Sequence, residues 1–235
     1  MKPFGPGCPW YDSLQRFGPA NLKWCETRVC GWINEPYNSW SNLGYLAAGL
    51  WIVAKAGEKG SKPGRAFGFI VIAMGALSFL YHATNNFLTQ RLDFLGMFLM
   101  VFFVLATNAR RLGMPRRLAT PAYGCAVVLS TAALSPLNAA GVPIQLTIAA
   151  SALLIVGSEL AARARTKDAR PLGMFWAGLA TIAVAEACSV ADFKRLVCDP
   201  SLPWLQGHAA WHLIGAVAMT FVYRHWADDF DRAWA

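Results

Sequence analysis

Seven long apolar blocks leave this chain few folds to choose from. They lie at residues 40–57, 66–86, 92–109, 118–135, 139–161, 172–191 and 204–224. Each is close to the length, roughly 20 residues, that carries a helix across a bilayer. Inside lipid every backbone N–H and C=O must find a partner within the protein, so such blocks fold as helices. Only 14% of the residues are charged, where a soluble domain carries about 25%. The expectation is an all-α polytopic membrane protein of seven transmembrane helices. Residues 1–39 form an extramembrane N-terminal segment, 40–224 the seven-helix domain and 225–235 a short C-terminal tail. The first 24 residues lack the apolar run of a cleavable signal peptide, which leaves the first apolar block to act as the insertion signal.

The formal net charge of +8 does not indicate nucleic acid, because of where the charges fall. Lys55, Lys59, Lys62 and Arg65 follow the first block. Arg110, Arg111, Arg116 and Arg117 follow the third, and Arg163, Arg165, Lys167 and Arg170 the fifth. The intervening connections are much poorer in positive charge. Basic connections stay in the cytoplasm, so the N-terminus is expected outside and the C-terminus inside. Cys8, Cys25, Cys30 and Cys198 all fall on the expected outer side, where disulfides persist. Four cysteines allow two bridges without fixing the pairing. Cys125 and Cys188 lie inside apolar blocks and read as packing residues. Arginine outnumbers lysine and the loops are short, which points to a bacterial inner membrane.

The chemistry gathers at one end. His82 closes the second block, and His208 and His212 open the seventh. With alternating helix direction, all three reach the same membrane level, on the N-terminal side. Histidines at i and i+4 project from one helical face about a turn apart, a chelating geometry. A third histidine makes a three-nitrogen set with an open fourth position, the arrangement of catalytic zinc. Ser78 shares the face of His82, four residues earlier. Asp93 opens the third block, and a carboxylate at a membrane helix end needs a partner or a function. It can serve as base to a metal-activated water or as a favourable charge at a helix N-terminus. Glu186 in the sixth block faces a polar cavity or pairs with a neighbouring helix. Asn85, Asn86 and Gln90 supply turn chemistry or headgroup contacts.

The set Ser78-x-x-x-His82, Asp93 and His208-x-x-x-His212 on seven helices resembles the alkaline ceramidases, part of a seven-helix membrane hydrolase superfamily that includes adiponectin-type receptors. "WCETRVCGWINEPYNSWSN" adds to the likeness through Trp24, Cys25, Glu26, Glu35, Asn38, Ser41 and Asn42. "ADFKRLVCDPSLPW" adds Asp192 and Cys198. The resemblance covers about residues 22–224. It implies zinc held by His82, His208 and His212, with Asp93 activating the water on the zinc and Ser78 stabilising the oxyanion. It implies hydrolysis of ceramide to a sphingoid base and a fatty acid, and a bridge between Cys25 and Cys198. Cys8 with Cys30 is the second pair expected. Animal relatives bind calcium in the N-terminal segment, but Lys23 and Arg28 stand where two ligands would be, so calcium is not expected here. Glu26 and Glu35 are instead expected to pair with Lys23 or Arg28.

The competing readings are a hydrolase of another lipid amide or ester, and a receptor or binding protein with structural zinc. The latter would need a closed four-ligand site, with Asp93 as the fourth ligand. A retinal-type pump is excluded, because no lysine occurs between Pro203 and Tyr223. The expected partners are ceramide or a similar lipid and the surrounding membrane lipids. The oligomeric state is not legible.

Overall fold

The computed structural model describes residues 4–200, 202 and 205–234. Ser201 and Pro203, just before the last apolar block, and Trp204, its first residue, lie outside the described residues. The described residues form nine helices: α1 (Tyr11–Phe17), α2 (Pro36–Ser41), α3 (Leu43–Glu58), α4 (Lys62–Thr84), α5 (Phe87–Arg111), α6 (Arg116–Ala139), α7 (Gln145–Thr166), α8 (Gly173–Phe193) and α9 (Gly207–Trp234). The seven apolar blocks correspond to α3–α9. Five of these, α4 to α8, are long and apolar enough to cross a membrane. At 16 residues α3 is short for a span, while α9 carries histidines, aspartates and arginines within its length.

Local chemistry sets the helix ends. Ser61 caps α4 by accepting the Gly64 N–H, with Pro63 in the first turn. At the other end Asn85 adopts a left-handed conformation, φ 50°, and its N–H returns to the Tyr81 carbonyl. Asn86 then caps α5 by accepting the Thr89 N–H. This two-residue turn folds the end of α4 against the start of α5 and brings the helix of His82 beside that of Asp93.

The main core lies among α3, α4, α5 and α9. Ile52, Phe67, Val71 and Phe230 are fully buried within it. The α3–α4 crossing is close enough to require glycine: a Cβ on Gly49 would lie 2.8 Å from the Gly68 carbonyl oxygen. α8 packs on α9, and α6 and α7 pack on α5. Although consecutive in the chain, α7 and α8 do not form a packed pair. The outward faces of α6, α7 and α8 present Leu129, Leu153, Leu154, Trp176 and Val184, a surface suited to lipid rather than water. Cys125 is exposed on α6 and so is not the packing residue expected from its apolar block, because that block turns this face outward.

The last ten described residues, read from sequence as a tail, continue α9. His225, Trp226, Asp229 and Phe230 are buried there. They meet the ends of α5 and α7 in a polar network. Arg111 pairs with Glu159, with Asp168 at 3.3 Å and with Asp229 at 3.5 Å. His225 pairs with Glu159 at 3.0 Å, and Arg170 with Asp229 at 2.7 Å. The Trp226 indole N–H donates to Asn108 and Glu159. Removing one partner from a buried charge network leaves the others uncompensated, at a cost of about 3–5 kcal/mol. Arg111→Ala is therefore expected to lower the thermal midpoint of the detergent-solubilised protein strongly. Arg232→Ala, which removes a largely exposed guanidinium 3.8 Å from Asp229, is expected to leave it nearly unchanged.

Candidate metal centre

The end of α4 and the start of α9 bring His82, His208 and His212 together. One ligand atom from each lies within 4.8 Å of the others, and all three residues are buried. The outward nitrogens explain how the rings are held. His82 Nδ1 is 2.7 Å from Glu35 Oε2, His212 Nδ1 is 2.7 Å from Ser41 Oγ and His208 Nδ1 is 3.4 Å from Ser189 Oγ. The Ser41 hydroxyl donates its one proton to the Asn38 carbonyl, so towards His212 it accepts. That assigns the proton of His212 to Nδ1 and leaves Nε2 as a free lone pair facing inward. Glu35 does the same for His82. His82 Nε2 and His208 Nε2 are 3.2 Å apart.

Two indoles fix His208. Trp24 stacks on it with ring centroids 3.4 Å apart, and Trp211 lies parallel at 5.3 Å. The His208 N–H donates to Asp192 Oδ2, satisfying an orphan donor at the α9 N-terminus. The α8–α9 contact here leaves no room for a side chain at position 207: a Cβ on Gly207 would lie 2.5 Å from the Cys188 carbonyl oxygen. Three neutral imidazoles, each aimed inward by a partner on its second nitrogen, can hold a divalent transition metal. Among the described residues the ligand group comprises the three histidines alone, so Asp93 stands outside it. Ser78 Oγ is 3.4 Å from His212 Nε2, and its hydroxyl also interacts with the Asp93 carboxylate. The five residues singled out in the sequence thus gather in one place.

The N-terminal segment lies across this end as a strap. Cys25 is bridged to Cys198 and Cys8 to Cys30, the two pairs expected. The Asn34 and Glu35 N–H groups donate to the Ala83 and His82 carbonyls. The pairing of Lys23 or Arg28 with the strap carboxylates is not formed: among the described residues no ion pair joins them. Glu26 instead accepts the backbone N–H groups of Tyr37 and Asn38, both at 2.8 Å, so it serves as a remote cap for α2. Glu35 is taken by His82, Asn38 and Asn85. Burial pushes the Glu35 carboxyl up to about 7 against the nearby charge of Arg28. Gln90 exchanges hydrogen bonds with Asn21, so Asn85, Asn86 and Gln90 serve turns and strap docking. Glu35 and Ser41 belong to the motif that carries the resemblance, but their anchoring roles are not legible in it, because their partners lie 47 and 171 residues away; Ser189, 19 residues from its partner, has no sequence signal beyond its polarity.

Burial likewise pushes the Glu26 carboxyl up from its ordinary 4.5 to about 7, against its two N–H donors. A carboxyl whose native pKa is raised favours the fold in its protonated form. Its contribution is fully present below pH 4.5 and is lost as pH rises through 7. The thermal midpoint of Glu26→Gln relative to wild type is expected to climb across that interval; a constant difference contradicts the account. Glu35→Gln is expected to weaken metal binding roughly 10- to 100-fold, read by competition with a chelator.

A family model described as Ceramidase matches residues 18–230, which takes in the strap from Gly18 onward, every histidine of the cluster and most of α9. No protein of curated function matches the chain.

Proposed function

The chain belongs to the ceramidase family, and from that premise we propose that it is a zinc-dependent membrane amidase that hydrolyses ceramide to a sphingoid base and a free fatty acid. The observation that carries this reading is the convergence of three inward imidazole nitrogens beside the Ser78–Asp93 pair. Three nitrogens with the carboxylate outside the set favour an open coordination position over the closed site of a structural zinc, and hence a hydrolase over a receptor.

Zinc, when bound, polarises an amide carbonyl and makes water acidic enough to lose a proton near neutral pH. The residues of the chain do the rest. Asp93 takes the proton of the attacking water. While it is ionised, Asp93 engages the Ser78 hydroxyl; once protonated it releases that hydroxyl, which then donates to the carbonyl oxygen as negative charge develops there. The amide C–N bond breaks and Asp93 returns the proton to the departing amine. The strap carboxylates are committed to α2 and His82, which supports a protein without calcium at that position.

In the membrane, α3 and α9 join α4–α8 to make seven spans, with the N-terminus and the metal centre outside. The basic connections and the C-terminus are cytoplasmic, in a bacterial inner membrane. The loose seam between α7 and α8, where an apolar cavity of about 70 Å³ is lined by Met100, Ile155, Met174, Phe175, Leu179 and Met219, is where part of an apolar lipid chain would lodge.

The purified protein is expected to contain about one zinc per chain by elemental analysis and to release fatty acid from ceramide. His212→Ala should lose both. Asp93→Asn is expected to lower kcat by about 10²–10⁴ and Ser78→Ala by about 10²–10³, each with zinc retained. Zinc without ceramide hydrolysis would transfer the reading to another lipid or to the receptor class. Wild-type protein that is folded, unchelated and free of zinc would refute it.

A further inference from the structure

Glu186 is a carboxylate inside one of the long apolar helices, α8. It precedes Phe193, the last residue of α8, by seven residues, which places it about 10 Å from that helix end. Its side chain is exposed, and among the described residues no ion pair includes it. A charge at this depth is costly and is retained where it faces a cavity, a partner or a ligand. The cavity is present: an open cleft of about 530 Å³ between the strap, the α6–α7 connection and α8, lined by Glu186 with Asn21, Trp24, Asn138, Gln145 and Ser189. Its one cationic lining residue, Lys194, lies eight residues further along and rests over the Phe193 ring at 5.4 Å, so the carboxylate stays uncompensated.

The same cavity borders the outer wall of the histidine cluster, through Trp24 and Ser189. Trp24 stacks on His208 and Ser189 lies against His208 Nδ1. Glu186 is one turn before Ser189 on the same face of α8, so a molecule filling the cavity can touch Glu186 and the wall of the metal centre at once. Ceramide carries no charge. Cleavage of its amide creates a primary amine that is cationic at neutral pH and still bears a long apolar chain.

We propose that Glu186 is the ammonium-binding residue of this cavity and that its ligand is a long-chain primary amine. The source of that amine rests on the hydrolase reading; the recognition itself does not. An alcohol of the same chain length has no charge to offer the carboxylate, and a fatty acid is repelled by it.

The test is calorimetric binding of octadecylamine and octadecanol to the full-length protein in neutral detergent micelles. The wild type is expected to prefer the amine by about tenfold or more, and Glu186→Gln is expected to bind the two alike. Glu186→Asp, which keeps the charge on a shorter side chain, should recover part of the preference. Zinc content and thermal midpoint identify a variant that has failed to fold. An amine preference unchanged in Glu186→Gln, or none in the wild type, overturns the assignment even if ceramide is hydrolysed. A Glu186-dependent preference in a protein that does not cleave ceramide upholds the amine site and sinks the proposed reaction.

Discussion

One buried carboxylate joins the strap to the helix that carries two of the three histidines. Asp192 accepts the Cys25 N–H at 2.7 Å through one oxygen and the His208 N–H at 3.1 Å through the other. Arg195 reinforces the join by donating to the Trp24 carbonyl, and the Cys25–Cys198 bridge crosses at the same level. Without this clasp Trp24 would have no fixed position over His208. The strap beyond it, which delivers Glu35 to His82 and Ser41 to His212, would lose its anchor on α8 and α9. The metal centre is therefore built by two parties: α4 and α9 supply the ligands, while strap and α8 hold the nitrogens that face away.

The two ends of the bundle meet the cost of buried polarity differently. At the metal end the buried groups include neutral imidazoles, amides and hydroxyls; the histidines are each held by a neighbour on Nδ1, and their remaining lone pairs point at one another. At the far end the groups are fully charged. There Arg111, Glu159, Asp168, Arg170 and Asp229 compensate one another. Between them lies an apolar core of aromatic and β-branched side chains.

Much of this was legible because membrane helices write their periodicity plainly. His208 and His212 are four apart in an apolar run, and loop charge fixes which blocks share a side, so the convergence with His82 follows from counting. The Cys25–Cys198 bridge followed from the family resemblance rather than from spacing, and Cys8–Cys30 is the pair that remained on the outer side. What the sequence hid depends on long-range contacts. Arg111, Arg163 and Arg170 look like ordinary loop cations, yet Arg111 is buried against acids from α7, α9 and the α7–α8 connection. The extension of α9 to Trp234 was missed because the apolar run stops at Tyr223, while the helix continues on one buried face through Trp226 and Phe230. The expected partners of Glu26 and Glu35 were wrong for a related reason. Exposed Lys23 keeps its hydration, whereas backbone N–H groups at the start of α2 have nowhere else to turn.

The strap also imposes an order on manufacture. Residues 24–41 leave the ribosome before any helix they serve, and their partners on α8 and α9 emerge last. Until Asp192, Cys198 and His212 arrive, Cys25 lacks its bridge partner and Ser41 has no imidazole to steady. The nascent strap must wait, and two of the three metal ligands do not yet exist. Assembly of the three-histidine cluster is thus a late event of biogenesis, confined to chains whose final helix is already in place, and a truncated product is born without two of its three imidazoles.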